Sequence, residues 1–264
     1  MGQTHSNMNN TLVKLIGWKA TVLHGDTFVV DRWYWLRRHL QPGRLRTFDA
    51  GCGNGWATMY AAKVGNEAVG LNFDEPPNRG AEHRAKLLGI TGVSFKVGDL
   101  RQLDRFGKAL GDFDQIICTE CIEHILNDQK LVDDLASMLK PGGKLMLTAP
   151  YKHHKSLVDE TMSGKEDGGH VRWGYTHEEL RRIFNTAGLN VVSEEYISGF
   201  IAQQLTNLAR KFGRTRERLG WAFVFPLRFL KILDAPVTKL LRFPHLSVGL
   251  VGIKPGGLST SKQH

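Results

Sequence analysis

The stretch from Thr47 to Gly55, read as T-F-D-A-G-C-G-N-G, constrains this chain most, because it joins a short apolar strand to a glycine-rich turn that opens a helix. Arg46 to Ala50 supplies the strand and Trp56 to Lys63 the helix. Glycines at 51, 53 and 55 permit positive φ and let a ligand approach bare backbone. This is the geometry of a nucleotide-cofactor loop. Dinucleotide folds, adenosyl-cofactor folds and plain tight turns all use it, so the rest of the chain must decide among them.

At 264 residues and 41% hydrophobic content, the chain has room for one α/β domain with some elaboration and too little for two of ordinary size. Met1 to Asn10 is polar, and no apolar run approaches the roughly 20 residues that span a bilayer, so a cytoplasmic protein is expected. Three cysteines argue against a disulfide framework and for a reducing compartment.

From Phe48 onward, short β-rich runs alternate with amphipathic stretches, the signature of a parallel sheet covered on both faces. Strands are predicted at Thr47–Ala50, Ala68–Phe73, Val93–Val97, Gln115–Thr119, Lys144–Ala149, Val191–Ile197 and Val248–Ile253. Helices are predicted at Trp56–Lys63, Arg79–Leu88, Lys130–Leu139 and Thr176–Ala187, the last opened by a Thr176/Glu179 capping box and closed at Gly188. The result is a doubly wound sheet whose ligand sits outside the carboxyl ends of the strands, where the strand order reverses. Two segments lie outside this core. Residues 11–40 carry Phe28, Trp33, Tyr34, Trp35 and Leu36, an aromatic cluster that suits a helical lid and a structural flap equally. Residues 200–245 form a connection far longer than a hairpin needs, as functional insertions do.

The glycine turn is followed in order by G-L-N-F-D, F-K-V-G-D-L, F-D-Q-I-I-C-T-E-C-I-E-H-I, L-K-P-G-G and K-L-M-L-T-A-P. This ordered set resembles the class I S-adenosylmethionine-dependent methyltransferases, in particular their small-molecule branch. The resemblance covers roughly Thr47 to Gly199 and lies in order and spacing. It implies one Rossmann-like methyltransferase domain over 1–264, with a cofactor core at 47–199 and six parallel strands closed by an antiparallel last strand at 248–253. It also implies S-adenosyl-L-methionine across the ends of the first four strands, with S-adenosyl-L-homocysteine as product.

That cofactor offers a ribose diol, an adenine edge, a carboxylate, an ammonium and a sulfonium, so its site needs acceptors for hydroxyl and amine donors and bare N–H groups for the carboxylate. Gly51, Cys52, Gly53 and the amides near Asn54 are placed to meet the methionine end, with Asp49 toward the ammonium. Asp99 and Leu100 match the family's adenine positions, Phe73 ends the second strand, and Glu120 lines the same pocket. The alternative is that Asp99 only caps the turn that follows it. The second strand departs from the family: Asn72 stands where an acid normally accepts both ribose hydroxyls, with Asp74 as a possible replacement. A lost acid is also compatible with a phosphorylated nicotinamide cofactor, but the E-H-I and L-K-P-G-G segments do not belong to that pattern.

Methyl transfer from a sulfonium gains most from alignment and exclusion of water, and a base helps when the acceptor is an O–H or N–H. Glu123 and His124, just after the fourth strand, and His170 and Tyr175, in the loop after the fifth, are the candidate catalytic residues. His124 can instead simply bond a backbone carbonyl. Three histidines with Asp167 or Glu166 do not form a recognised ligand spacing, so no metal is expected. Cys118 and Cys121 read as small core residues.

Of the formal charge of +9, residues 200–245 carry about +7, from nine Lys or Arg against Glu217 and Asp234. Cations there alternate with apolar residues such as Trp221, Phe223, Phe225 and Phe229, which suits an anionic membrane surface, an amphiphilic acceptor, or core packing with a solvated basic face. The expected activity is methyl transfer to a small-molecule or lipid-linked acceptor at oxygen or carbon. The alternatives are an RNA methyltransferase, weakened by the lack of a stacking platform, and an inactive methyltransferase-like binding module.

Overall fold

A computed structural model describes residues 10–23, 27–158, 160–213, 220 and 224–256; Arg214, Arg216, Arg218, Trp221 and Phe223 of the basic stretch lie outside them. Among the described residues, seven strands form one sheet: β1 Arg46–Ala50, β2 Glu67–Asn72, β3 Val93–Val97, β4 Phe113–Thr119, β5 Leu139–Pro150, β6 Asn190–Ile197 and β7 Ser247–Ile253. Their order is β3-β2-β1-β4-β5-β7-β6, and β7 runs antiparallel to both of its neighbours. The chain moves outward from β1 to β2 and β3, then returns to place β4 on the other side of β1. That reversal opens a crevice at the carboxyl ends of β1 and β4, where open α/β sheets bind ligands.

The central strands are buried along nearly their whole length, as strands covered on both faces must be. One face packs against α3 (Thr27–His39), α4 (Trp56–Lys63) and α5 (Glu75–Leu87), through Trp35, Leu36, Met59, Ala81 and Ala85. The other packs against α6 (Leu103–Leu110), α7 (Asp128–Ser137) and α8 (His177–Thr186), through Leu103, Leu131, Leu135, Leu180 and Phe184. Alternation along β1 sends Phe48 to the second core and leaves Asp49 facing the first.

Most predicted elements appear within a few residues of their expected ends. The α8 capping box is complete, with Thr176 Oγ1 accepting from the Glu179 N–H and the Glu179 carboxylate accepting from the Thr176 N–H. Helix α5 starts at Glu75, four residues before the predicted start, because Pro76 and Pro77 occupy its first turn, where a missing N–H costs nothing. Strand β5 starts at Leu139, and helix α6 was not anticipated.

The segment before β1 is helical, with α1 (Asn10–Ile16), α2 (Lys19–Leu23) and α3, and it packs on the core while flanking the glycine turn. Trp18 Nε1 donates to the Trp56 carbonyl at 3.1 Å, and Asn54 Nδ2 donates to the Thr21 carbonyl at 3.4 Å. Between β6 and β7 lie α9 (Phe200–Gly213), a 3-10 segment (Phe225–Leu233) and α10 (Asp234–Leu241). No helix among the described residues is long and apolar enough to cross a membrane.

Gly55 precedes α4 at φ 76°, and a Cβ there would lie 2.8 Å from both Ala81 Cβ and the Phe95 ring. Gly55→Ala should therefore combine left-handed strain with overpacking and destabilise the protein by about 2–4 kcal/mol. Urea unfolding of the two proteins checks this, and a loss below about 1 kcal/mol would show that the helix can shift away from the sheet.

Candidate active site

Along the carboxyl ends of four adjacent strands the expected groups fall in sheet order: Asp99 and Leu100 after β3, Asn72 and Phe73 at β2, Asp49 to Gly53 at β1, and Glu120 to His124 after β4. Three strand spacings of about 4.8 Å make this strip about 14 Å long.

Asp49 is 1% exposed and Oδ2 accepts from Thr58 Oγ1 at 2.6 Å. Burial pushes its carboxyl up to about 6, with the Thr58 hydrogen bonds restraining the rise. In the glycine turn, the Gly51 and Cys52 N–H groups both donate to the Leu71 carbonyl, and the Gly53 N–H donates to Asn72 Oδ1. Gly51 and Gly53 therefore do not offer bare donors as expected; among the described residues, Asn54 carries the amide of this turn that lacks a protein acceptor. A Cβ at Gly51 would meet Cys121 Sγ at 2.7 Å, so this glycine is required by close packing beneath the turn. Cys52 is buried in the first core with its thiol pushed up by burial, so its side chain packs and only its backbone belongs to the turn.

Asn72 takes part in a two-way clasp: Nδ2 donates to the Gly53 carbonyl at 2.9 Å and to Asn78 Oδ1 at 2.7 Å, while Oδ1 accepts from Gly53. An acid could not make the two donations. The amide's hydrogens are thus committed to the turn, and what remains toward the crevice is the second lone pair of Oδ1. Asp74 is the exposed N-cap residue of α5.

Asp99 accepts from the Arg101 N–H and is held by the Arg101 guanidinium at 2.7–3.0 Å, which keeps its carboxyl below the usual range. The same guanidinium reaches Glu166 at 3.0 Å and lies 5.6 Å from the centre of the exposed Phe73 ring. A planar cation thus fills the space between Phe73 and Asp99, where the sequence expects an adenine.

At the end of β4, Glu120 adopts a left-handed φ of 47°, and its Oε2 pairs with Arg32 of α3 at 2.5 Å. Glu123 is 1% exposed; burial first, then the nearby Glu120 carboxylate, drive its carboxyl well above the usual range, and its Oε2 has no partner. His124 Nε2 lies 3.9 Å from Glu123 Oε1, and Nδ1 lies 3.0 Å from the Gly169 carbonyl. A carbonyl only accepts, so in the neutral ring Nδ1 carries the proton and Nε2 faces Glu123 with its lone pair. The His170 ring stands edge-on to His124 at 4.8 Å; burial and that neighbour lower its basicity, and its Nδ1 has no hydrogen-bond partner, with Glu160 Oε1 4.0 Å away.

His170 thus reaches the β4 end from a loop 46 positions further along the chain. Glu123, His124 and His170 each present a ligand atom within 4.8 Å of the others, a set able to hold a metal ion. It differs from the histidine set weighed from the sequence, in which His153 and His154 accompanied His170; His154 is instead bonded to Glu160 at 3.0 Å. Tyr175 is not brought to this cluster. Its buried hydroxyl donates to Asp128 at 2.9 Å and accepts from Arg172 at 2.6 Å, beside a groove of about 760 Å³ that meets the cluster at Val171, whose N–H donates to the Glu123 carbonyl.

Three cations escaped the sequence reading. Arg84 of α5 is 4% exposed and donates to the Asn54 carbonyl at 2.7 Å, steadying the turn from below. Arg101 and Arg32 hold Asp99 and Glu120. Arg101, two residues after Asp99, was the legible one; Arg32 and Arg84 act across 88 and 30 positions and leave no local pattern.

A family model described as "Methyltransferase domain" matches residues 34–194. The chain is 25% identical over 188 residues to a ubiquinone biosynthesis O-methyltransferase of Xanthomonas axonopodis pv. citri, covering 69% of this chain and 76% of that one. It is 28% identical over 113 residues to the protein of the same name from Marinobacter nauticus, covering 43% and 47%. Among solved structures it resembles phosphoethanolamine N-methyltransferase 2 of Haemonchus contortus in complex with S-adenosyl-L-methionine (TM-score 0.59, 17% identity, 96% of this chain and 60% of that one). It also resembles the [4+2]-cyclase SpnF (TM-score 0.59, 20% identity, 87% and 82%). At these identities the structural matches show the fold.

The raised Asp49 carboxyl has a measurable consequence for the ligand-free protein. The folded state holds a proton that the unfolded chain releases between about pH 4 and 6, so this residue lowers stability as pH rises through that window. Asp49→Asn should stabilise the free protein by up to about 3 kcal/mol at pH 7–8, and the gain should vanish toward pH 4. Urea unfolding across this range checks it; a gain independent of pH would show that Asp49 is not the titrating group.

Proposed function

From the premise that this chain belongs to the methyltransferase-domain family and is an S-adenosyl-L-methionine-dependent methyltransferase, we propose that it methylates an oxygen of a small, lipid-linked acceptor. The observation that carries this reading is the cluster of buried Glu123 with half-buried His124 and His170 at the end of β4, in which Glu123 Oε2 and His170 Nδ1 lack hydrogen-bond partners. The ubiquinone biosynthesis O-methyltransferases among its relatives support the acceptor class. They do not favour an RNA acceptor.

The crevice residues fit the cofactor. The Asn54 amide suits the methionine carboxylate, Asp49 the ammonium, the free lone pair of Asn72 Oδ1 a ribose hydroxyl, and Asp99 with Leu100 and Phe73 the adenine. Arg101 must withdraw from Asp99 for the adenine to enter, and Glu166 offers it a second partner. Gly51, Cys52 and Gly53 shape the turn, and Glu120, held by Arg32, closes the pocket toward the acceptor.

In the reaction, the acceptor oxygen attacks the methyl carbon in line with the departing sulfur. The C–S bond breaks as the C–O bond forms, and S-adenosyl-L-homocysteine leaves neutral at sulfur. The acceptor's O–H proton passes to His124 Nε2, whose tautomer is set by the Gly169 carbonyl that accepts from Nδ1, and Glu123 Oε1 lies 3.9 Å from the receiving nitrogen. His170 walls the site.

The cluster supports a second reading, in which a divalent cation on Glu123, His124 and His170 supplies Lewis acidity to the acceptor oxygen. A lipid-linked acceptor also places the working protein at the cytoplasmic face of an anionic membrane, with residues 1–264 acting as one catalytic domain and 200–245 as the element nearest the bilayer.

Incubation with methyl-labelled S-adenosyl-L-methionine and bacterial lipid extract should put label in the organic phase, above a heat-killed control. Label confined to RNA would refute the acceptor class. His124→Ala should lower kcat by about 10²–10³-fold with cofactor affinity within about twofold, while Asp99→Ala should weaken cofactor binding by about tenfold or more. Calorimetric titration and turnover separate the two effects. A chelator that abolishes turnover, with recovery on adding Mg²⁺ or Zn²⁺, selects the cation reading; unchanged turnover selects His124 as base.

A further inference from the structure

The 3-10 segment Phe225–Leu233 is turned opposite to what its composition suggests. With three residues per turn, side chains at i and i+3 stack in rows. Arg228 and Lys231 share one row and point inward: Arg228 Nη1 donates to the Leu23 carbonyl at 2.8 Å, and Lys231 donates to the Thr27 carbonyl at 3.3 Å and pairs with Asp31. The next row holds Phe229 and Ile232, which are 72% and 84% exposed. On the adjoining α10, Leu240 is 82% exposed and lies between the exposed Lys239 and Arg242. The cations expected to face a membrane are partly spent inside, and large apolar groups stand outside in their place.

This arrangement is held firmly. Asp234, where the 3-10 segment meets α10, accepts from the N–H groups of Gly199 and Ile201 at 2.9 and 2.7 Å, capping the start of α9, and Thr238 Oγ1 accepts from the Phe200 N–H at 2.7 Å. Displaying Phe229 and Ile232 to water on a fixed scaffold is unfavourable unless something apolar covers them.

We propose that this face is a membrane-docking surface, in which Phe229, Ile232 and Leu240 enter the acyl boundary of an anionic bilayer and Lys239 and Arg242 meet its headgroups. Charge favours a bilayer over a second copy, because two chains of formal +9 would repel each other while anionic lipid attracts both. The surface is also continuous with the reaction site through α3. Lys231 is bound to Asp31, and the next residue, Arg32, holds Glu120 at the end of β4. Resting on the acceptor reading above, this geometry lets the reacting head enter the site while its lipid tail stays in the membrane.

The test is flotation of the purified full chain with vesicles of phosphatidylcholine alone and of phosphatidylcholine with phosphatidylglycerol at a 3:1 ratio. Phe229→Ser combined with Ile232→Ser should lower vesicle affinity by about tenfold or more, with melting temperature and cofactor affinity unchanged. Lys239→Gln combined with Arg242→Gln should remove the preference for the anionic vesicles, roughly fivefold to thirtyfold. Undiminished binding of the serine variant overturns the proposal. So does a wild-type chain that ignores both vesicles and sediments as a dimer broken by the serine substitutions, which would assign the face to a second copy. Binding is read without any acceptor, so failure of the acceptor reading leaves this result standing.

Discussion

Helix α4 approaches the sheet so closely at Gly55 and Gly70 that a β-carbon at either position would collide with its neighbours: Ala81 and Phe95 at the first, Cys52, Thr58 and Phe95 at the second. That approach brings Thr58 onto the Asp49 carboxylate and seals both from water. It also seats the turn so that Gly51 and Cys52 share the Leu71 carbonyl, and so that Asn72 can clasp Gly53 from both sides. The crevice is therefore rigid at β1 and β2, built on hydrogen bonds already satisfied. Its adjustable part is at β3, where the Asp99–Arg101 pair is part-exposed and can exchange partners at modest cost.

Burial of charge separates the two halves of the site. At β1 one desolvated carboxylate stands ready for a cationic ligand. After β4, burial and then the Glu120 carboxylate raise the cost of ionising Glu123, and Arg32, paired with Glu120, offsets part of it. Glu123 and His170 keep buried atoms without hydrogen bonds that a protein tuned only for stability would satisfy or replace. Such orphans belong where a substrate or ion completes the set.

Much of the scaffold was legible because it depends on local pattern. The order of strands and helices, the α8 cap and the glycine turn follow from residues a few positions apart. The acidic and histidine motif after β4 was legible as a segment, since Glu120, Glu123 and His124 sit within five positions. Asn72 was noticed as a departure, but its purpose was not, since the peptide it clasps lies on another strand's turn. Tyr175 looked catalytic by residue type, and its hydroxyl is instead tied to Asp128 and Arg172.

The amino-acid sequence by itself determined the family, the sheet, and the strand ends on which the candidate site residues stand, because these rest on periodicity, turn chemistry and the order of motifs. Only the tertiary structure decided that His170 joins His124, that Arg32 and Arg84 reach the site from α3 and α5, and that Arg228 and Lys231 turn inward while Phe229 and Ile232 face out. The first two are contacts between distant parts of the chain, set by loop closure and packing. The third depends on winding: a segment of three residues per turn sorts its side chains into different rows from one of 3.6, and composition is the same for both.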